Sequence, residues 1–411
     1  MKRIITSLLL LTALTTASVA QNPSRLVGGD MSLLPSYEAA SVKYFTQSGT
    51  RINDVLTYVA SSEVGWNAIR VRLFVDPAKA SDEDKKQGVC QDLDYVTALG
   101  KRIKEAGLQF LLDFHYSDSW ADPSKQNKPS AWSSMSVEEL NDVMYSYTKE
   151  CLQHLVSNQA TPDYIQIGNE ISYGMLWQTG RVHANNTDRW DVFAGFLNQG
   201  AKACREVCPK ARIIIHIERA GNHSYTLNYY TKLDKYNVDY DIIGLSYYPF
   251  WHKGLDQLST TLNTLEKNFP NREVQIVETA YYYQYKPSTG YDSESAPWAV
   301  TPAGQKEYVD ALIAELEKHS NVTGLYWWFP EENGYQNSVI GSWVNRGLFN
   351  NGNGRALPAL YALKNFLGTS GIDQPTTDTW RTGGVSYNLV GQRDSDSPIV
   401  IVDGRKAINK R

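Results

Sequence analysis

The stretch "YIQIGNEISYG", residues 164–174, is the best guide to the fold, because an apolar strand in it ends directly in polar residues. Isoleucines alternate through its first half, and Gly168, Asn169 and Glu170 follow directly. Gly168 has no side chain, so we expect it to allow a close backbone approach just before the polar end. A buried strand that presents an amide and a carboxylate at its end is typical of a parallel sheet with a site along that edge.

Seven other apolar runs of this kind occur in the chain and alternate with helical patterns, in which apolar residues recur every three or four positions. Ser136 with Glu139 forms a capping box at one helix start. Eight strands alternating with eight helices predict an α/β protein, a (β/α)8 TIM barrel over residues 21–370. An open doubly wound sheet is the alternative, but no G-x-G-x-x-G follows the first strand. The eight runs begin near residues 26, 67, 108, 163, 212, 240, 274 and 322.

The two ends of the chain differ from this pattern. Residues 1–20 combine Lys2 and Arg3 with the apolar stretch "IITSLLLLTAL" and a final "ASVA", which predicts a signal peptide. The signal peptide predicts export to the periplasm, cell surface or medium of a Gram-negative bacterium. No later run is long enough to cross a membrane. Residues 371–411 predict a linker and a short β-rich tail, which partly resembles the sorting-like carboxy-terminal segments of exported Gram-negative proteins.

Composition narrows the class of function. The net charge is −4 and no basic stripe is visible, which argues against nucleic acid as a partner. The 11 Trp and 26 Tyr fit sugar-binding faces and equally fit a large aromatic core. The four cysteines, Cys90, Cys151, Cys204 and Cys208, show no metal-ligand spacing, and we expect at least two buried free thiols. We also expect a monomer.

Polar and aromatic residues end almost every predicted strand, where a TIM barrel carries its active site. The strongest pair is Glu170 and Glu278, which lie 108 residues apart (278 minus 170). That interval equals three strand–helix units, so the two carboxylates come from the fourth and seventh strands and face each other across the mouth. Two carboxyls about 5–5.5 Å apart are the machinery of a retaining glycosidase.

Five segments of the sequence resemble glycoside hydrolase family 53, the endo-β-1,4-galactanases of clan A. These are "VRLFVDP", "DFHYSDSWADPSKQNKPSAW", "IQIGNE", "LSYYPFWHKGL" and "VETAYYY", and the resemblance extends over about residues 25–366. It implies that Glu170 is the acid/base, that Glu278 is the nucleophile and that Asn169 binds the sugar 2-hydroxyl. No cofactor is required in such a mechanism.

The resemblance also implies substrate-site roles for other residues. Arg72 and Tyr247 match positions that orient the nucleophile, while Asp118, Trp120, Trp251 and Trp328 match subsite positions. Strand alternation sends only one of Trp327 and Trp328 to the mouth, and the resemblance favours Trp328. His115 and His216 fit substrate contacts and fit hydrogen-bonded core histidines equally well.

The sequence departs from the family after the last strand. Phe329 stands where the family usually has the Glu of a Glu-Pro-Ala-Trp segment, and Trp343 is a candidate replacement aromatic. Bacterial relatives often hold calcium in the loop after the nucleophile, where Asp292 and Glu294 are weak candidate ligands for a structural calcium ion.

The sequence therefore predicts a retaining endo-β-1,4-galactanase that acts on the galactan side chains of pectin, including type I arabinogalactan. The alternatives are a clan A enzyme for another plant glycan, such as mannan or xylan, and a non-catalytic glycan-binding barrel.

Overall fold

Eight parallel strands close into a barrel, as the sequence predicts. The computed structural model describes residues 25–184, 187–286 and 291–368, with the backbone of 386–387, 399–402 and 405–408. The predicted signal peptide lies outside these residues. The barrel strands are β1 Leu26–Asp30, β2 Ala68–Leu73, β3 Gln109–Phe114, β4 Tyr164–Ile167, β5 Arg212–Ile217, β6 Ile242–Tyr247, β7 Glu273–Thr279 and β8 Val322–Trp328.

Helices surround the barrel and complete the (β/α)8 architecture. The longest, α5, begins at the predicted capping box, in which the Ser136 hydroxyl accepts the Glu139 N–H and the Glu139 carboxylate accepts the Ser136 N–H. The helices are α1 Leu34–Ala39, α2 Val55–Ala60, α3 Asp82–Lys86, α4 Leu93–Glu105, α5 Val137–Ser157, α6 Trp190–Val207, α7 His223–Lys235, α8 Pro249–His252, α9 Leu255–Asn268, α10 Pro302–Leu316 and α11 Pro358–Ala362.

The ring order of the strands places the two predicted catalytic carboxylates on facing walls. Going round the barrel, β4 pairs with β5, β5 with β6 and β6 with β7, so β4 and β7 are three positions apart in a ring of eight. The register between β6 and β7 shifts after Leu245, which sets Ser246 opposite Glu278. Such irregularities re-aim side chains next to active sites.

The interior of the barrel changes character along its axis. An apolar cluster closes the end where the strands begin; its members include Leu26, Ala68 and Ile242. One layer further on, the buried side chains are polar, as Arg70 and Gln166 show. The apolar layer and the helix–sheet contacts outside it stabilise the fold by removing apolar surface from water. The polar layer forms the floor of the site.

The remaining described parts agree with the sequence where they can be compared. The tail contains an antiparallel sheet of Ser386–Tyr387, Ile399–Val402 and Arg405–Ile408, which confirms its β-rich character. All four cysteines are free thiols, three of them buried. Within the described ranges, no helix is both long and apolar enough to span a membrane.

Candidate active site

A cavity of about 550 Å³ opens at the carboxyl ends of the barrel strands. Glu170 and Glu278 both line it, as do Asn169 and Trp328. Gly168 has φ +82°, and a Cβ there would lie 2.8 Å from the Ile171 side chain, so the turn that delivers Asn169 and Glu170 excludes larger residues. Glycine is required at residue 168 for two reasons: its backbone is left-handed, and a side chain would clash with Ile171.

Ser246 joins the two carboxylates. Its hydroxyl oxygen lies 2.7 Å from Glu170 Oε1 and 3.4 Å from Glu278 Oε2. Those two carboxylate oxygens are therefore separated by at most the sum of these distances, about 6 Å. This spacing fits a pair in which one carboxylate attacks the sugar directly, and it leaves less room than a pair that places a water between them.

Glu278 is held by a cation and a phenol. Arg70 Nη1 lies 2.9 Å from Glu278 Oε1, and the Tyr248 hydroxyl donates to Oε2 over 2.9 Å. Arg70 is fixed in turn by Asp30 and Asp113, each 2.8 Å from the guanidinium. All five groups are almost fully buried. Each oxygen of the Glu278 carboxylate therefore already has a bonding partner within the protein.

The prediction that Arg72 and Tyr247 occupy these two positions is wrong. Tyr247 is the last residue of β6 and faces away from the barrel axis, where its hydroxyl donates to the Lys253 carbonyl over 3.0 Å. Because side chains alternate along the strand, the next tyrosine, Tyr248, turns back to the mouth. Arg72 does line the cavity, but it lies one inward position above Arg70 and leans towards Trp120.

The two carboxyls differ in how readily they ionise. Burial raises the pKa of both. At Glu170 the neighbouring Glu278 and Glu218 carboxylates raise the pKa further, well above its usual value. At Glu278 the Arg70 charge and the Tyr248 hydroxyl lower the pKa and oppose part of the rise. Glu170 therefore keeps its proton at a pH where Glu278 has lost its own.

Asn169 projects from the polar layer into the cavity. Its carbonyl oxygen accepts a bond from Arg70 Nη2 at 2.8 Å, and its amide nitrogen donates to the Ala121 carbonyl at 2.8 Å. These two bonds fix which end of the amide faces the cavity. An amide group carries two N–H donors, so one remains for a ligand beside Glu170.

The two predicted histidines have different surroundings. His115 lines the cavity, with Nε2 3.0 Å from Asp113 and Nδ1 accepting the Ala121 N–H at 3.1 Å. His216 lies beneath the site and is 2.8 Å from the Ser246 hydroxyl through Nε2. Burial keeps the pKa of His216 well below its usual value, so the ring is neutral. Since the Ser246 hydroxyl donates to Glu170, His216 donates to Ser246 and fixes its direction.

Aromatic side chains form the walls of the cavity. Trp120, Trp251, Trp328 and Trp343 all line it. Trp251 and Trp343 are 43% and 40% exposed, so their faces are open to a ligand. Trp327 instead lies inside the barrel wall and is fully buried. The aromatics lie beside the carboxylates, as stacking of a sugar chain requires.

Asp118 does not line the cavity, in contrast to the prediction of a substrate contact. Its carboxylate accepts the backbone N–H groups of Asp76 at 3.2 Å and Ser130 at 2.7 Å. It therefore ties together two loops that carry the rim. Asp118 follows β3 by several residues, so strand alternation gave no information on its direction.

One of the two candidate calcium ligands, Asp292, is engaged in local bonds through its carboxylate. Asp292 accepts the Glu294 N–H at 3.0 Å and the Ser295 hydroxyl at 2.6 Å. In the described part of the chain, no cluster of three or more His, Cys, Asp or Glu side chains is arranged to hold a metal ion. The carboxylate of Asp292 thus already serves to shape its turn.

Five residues of the site were not assigned a role from the sequence, and the first of them is Arg70, which holds Glu278 where Arg72 was expected. Ser246 and Tyr248 lie within "LSYYPFWHKGL" and would have been found by counting alternation through the strand end. Glu218 follows β5 directly and lines the cavity, with Oε1 accepting the Ser172 hydroxyl at 2.7 Å. Arg346 gives no such signal, since it reaches the cavity from a loop far beyond β8.

Comparisons with known proteins agree with this geometry. The model of glycosyl hydrolase family 53 matches residues 26–363. An endo-β-1,4-galactanase of Bacillus subtilis is 30% identical over 75% of this chain and 70% of its own length. Arabinogalactan endo-β-1,4-galactanase A of Aspergillus niger is 31% identical over 81% of this chain and 92% of its own. The family 53 catalytic domain of Ignisphaera aggregans superposes with a TM-score of 0.75 at 30% identity, covering 83% of this chain and 95% of that one.

Proposed function

Because the chain belongs to glycosyl hydrolase family 53, we propose that it hydrolyses internal β-1,4-galactosidic bonds with retention of configuration. The single observation that carries this proposal is the bridge from Glu170 through Ser246 to Glu278, which holds two carboxylates within about 6 Å. The substrate class comes from the relatives, which are named for β-1,4-galactan and arabinogalactan.

The first half of the reaction forms a covalent intermediate. Ionised Glu278 attacks the anomeric carbon, and the bond from that carbon to the glycosidic oxygen breaks. Glu170 gives its proton to the departing oxygen, which leaves as a free hydroxyl at the end of the shortened chain. The unequal ionisation of the two carboxyls suits this division, because the nucleophile needs a charge and the acid needs a proton.

The second half restores the enzyme. Glu170, now ionised, removes a proton from a water molecule, and the resulting oxygen attacks the anomeric carbon. The ester bond to Glu278 breaks and returns the electron pair to its carboxylate. Arg70 and Tyr248 stabilise that carboxylate as it leaves, as they stabilise it at rest. Two inversions at the same carbon give net retention.

The groups around the pair support binding of a polymeric sugar. The free amide donor of Asn169 lies next to Glu170, within reach of the sugar hydroxyl nearest the reacting carbon. The exposed faces of Trp251 and Trp343 lie on the rim, where further sugar rings can stack. We propose that the natural substrates are the galactan and type I arabinogalactan side chains of plant pectin, reached after export by the amino-terminal segment.

The test is turnover of β-1,4-galactan compared with β-1,4-mannan and β-1,4-xylan, followed by the appearance of reducing ends. We expect rapid cleavage of galactan and little of the other two. Glu170→Gln and Glu278→Gln serve as matched variants, since each replaces a carboxyl with an amide of the same size. Cleavage of mannan in preference to galactan would contradict the substrate, and unchanged turnover by Glu278→Gln would contradict the mechanism.

A further inference from the structure

Arg346 is a buried cation in the wall of the cavity. Only 1% of its surface is exposed, and it comes from the loop that follows β8. Glu332 anchors the backbone on both sides of it, accepting the N–H groups of Asn345 at 3.0 Å and Gly347 at 3.3 Å. Trp327 donates to the Arg346 carbonyl over 2.7 Å. The position of this arginine is therefore fixed by the fold.

Among the residues that the structure describes, no carboxylate contacts the Arg346 guanidinium directly. The buried Glu332 carboxylate interacts with its charge only at longer range, because its Oε2 is bonded to the N–H groups of Asn345 and Gly347. No carboxylate of those residues forms an ion pair with it, and its Nε and Nη1 are buried without a hydrogen-bond partner. The other two cavity arginines differ, because Arg70 contacts three carboxylates and Arg72 contacts Asp30. Buried charges are normally paired, since an isolated charge in a protein interior is costly.

Aromatic rings surround the guanidinium in place of an acid. The closest ring is that of Trp328, whose centroid is 4.5 Å from the guanidinium carbon, and the next is Trp343 at 5.2 Å. Tyr248, Trp251 and Tyr282 each lie at 5.7 Å. Ring faces attract a cation and also bind sugars, so a sugar stacked here lies against the charge. Tyr248 also bonds to Glu278, which places Arg346 one side chain from the nucleophile.

We propose that Arg346 recognises the carboxylate of a hexuronic acid unit in the substrate chain, close to the bond that is cut. The proposal rests on the galactanase function above and adds a preference for galactan chains that carry acidic sugars. A neutral hydroxyl can also accept a bond from the Arg346 guanidinium. A carboxylate also supplies an opposite charge in direct contact with Arg346, and such charge-assisted bonds are roughly twice as strong as neutral ones.

The experiment compares two substrates that differ only in charge. One is a β-1,4-galacto-oligosaccharide that carries a hexuronic acid unit, and the other is the same compound after reduction of the carboxyl to an alcohol. We expect kcat/KM of the wild type to favour the acidic compound by about tenfold or more, as one charge-assisted hydrogen bond supplies. Arg346→Gln is expected to abolish that preference. Arg181→Gln is the control, because Arg181 lies over Trp177 outside the cavity lining, and it is expected to keep the preference.

The outcomes separate this inference from the proposed function. Cleavage of both compounds by the wild type at equal efficiency overturns the proposed role of Arg346 and does not affect the proposed galactanase function. Cleavage of neither compound, and of no galactan polymer, overturns the proposed function itself. An unchanged preference in Arg346→Gln also overturns the inference.

A binding measurement on the wild type makes the test independent of whether the variant folds. Galacturonate and galactose are added separately, and the thermal unfolding midpoint is recorded. We expect galacturonate to raise the midpoint more than galactose does, because a ligand that binds the folded state stabilises it. Equal shifts from the two sugars would overturn the inference.

Discussion

Replacement of Tyr248 by Phe removes one hydroxyl and isolates the contribution of a single bond to the nucleophile. The hydroxyl donates to Glu278 Oε2 over 2.9 Å in a buried site. A phenylalanine ring fills almost the same space, so the aromatic contacts of Tyr248 with its neighbours Trp251 and Phe250 are kept. The change therefore acts on the charge of the carboxylate and little on packing.

The size of the effect follows from the nature of the bond. A hydrogen bond to a charged group contributes about 1.5–3 kcal/mol, and each 1.36 kcal/mol corresponds to a tenfold change. Since Arg70 still holds the other oxygen, we expect kcat/KM on galactan to fall by about ten- to a hundredfold. The bond favours the ionised form of Glu278, so its loss raises the pKa of that carboxyl. We expect the acidic limb of the pH profile to move up by about one unit.

The assay is initial-rate kinetics on galactan between acidic and mildly alkaline pH. Tyr247→Phe is the matched control, because the same atom is removed from the adjacent residue. The Tyr247 hydroxyl donates to the Lys253 carbonyl, away from the carboxylates, so the acidic limb is expected to stay in place. An equal shift in both variants, or none in Tyr248→Phe, would refute the account of how Glu278 is held.

Three other expectations follow from the site. Ser246→Ala removes a hydroxyl that lowers the pKa of Glu170, so the alkaline limb of kcat/KM is expected to move to higher pH; a limb that moves down would contradict this. Burial raises the pKa of Glu170 above its usual 4.5, so the unfolded chain loses this proton more readily than the folded one, and the free energy of unfolding falls as the pH rises past 4.5. Glu170→Gln is therefore expected to raise the unfolding midpoint at pH 7 and to leave it unchanged at pH 4, as calorimetry can show. Because Asp292 is occupied by its own turn, EDTA treatment is expected to leave activity and the unfolding midpoint unaltered, and restoration by calcium of a lost activity would contradict this.

The barrel was predictable from the sequence because a strand buried on both faces has an unmistakable composition. β5 shows this best, since Ile213, Ile214 and Ile215 are consecutive and all buried. The positions of Glu170 and Glu278 followed from counting strand–helix units, which needs no knowledge of side-chain direction. Those parts of the prediction depend only on local pattern and ring order.

The details around the carboxylates were harder to predict because they depend on side-chain direction at strand ends. The choice between Tyr247 and Tyr248 turns on one step of alternation at the register shift after Leu245. Whether Arg70 or Arg72 contacts Glu278 depends on how far a long side chain extends along the barrel axis towards the carboxylate. Arg346 arrives from a loop whose path no local pattern specifies.

The stereochemical outcome tests the central claim most directly, namely that Glu170 and Glu278 act as acid/base and nucleophile in a double displacement. Cleavage of a β-1,4-galacto-oligosaccharide is followed by proton NMR of the anomeric signals from the first minutes onwards. With a double displacement, the new reducing end appears first as the β-anomer and then mutarotates to the equilibrium mixture. First appearance of the α-anomer would show a single inversion and would contradict the account.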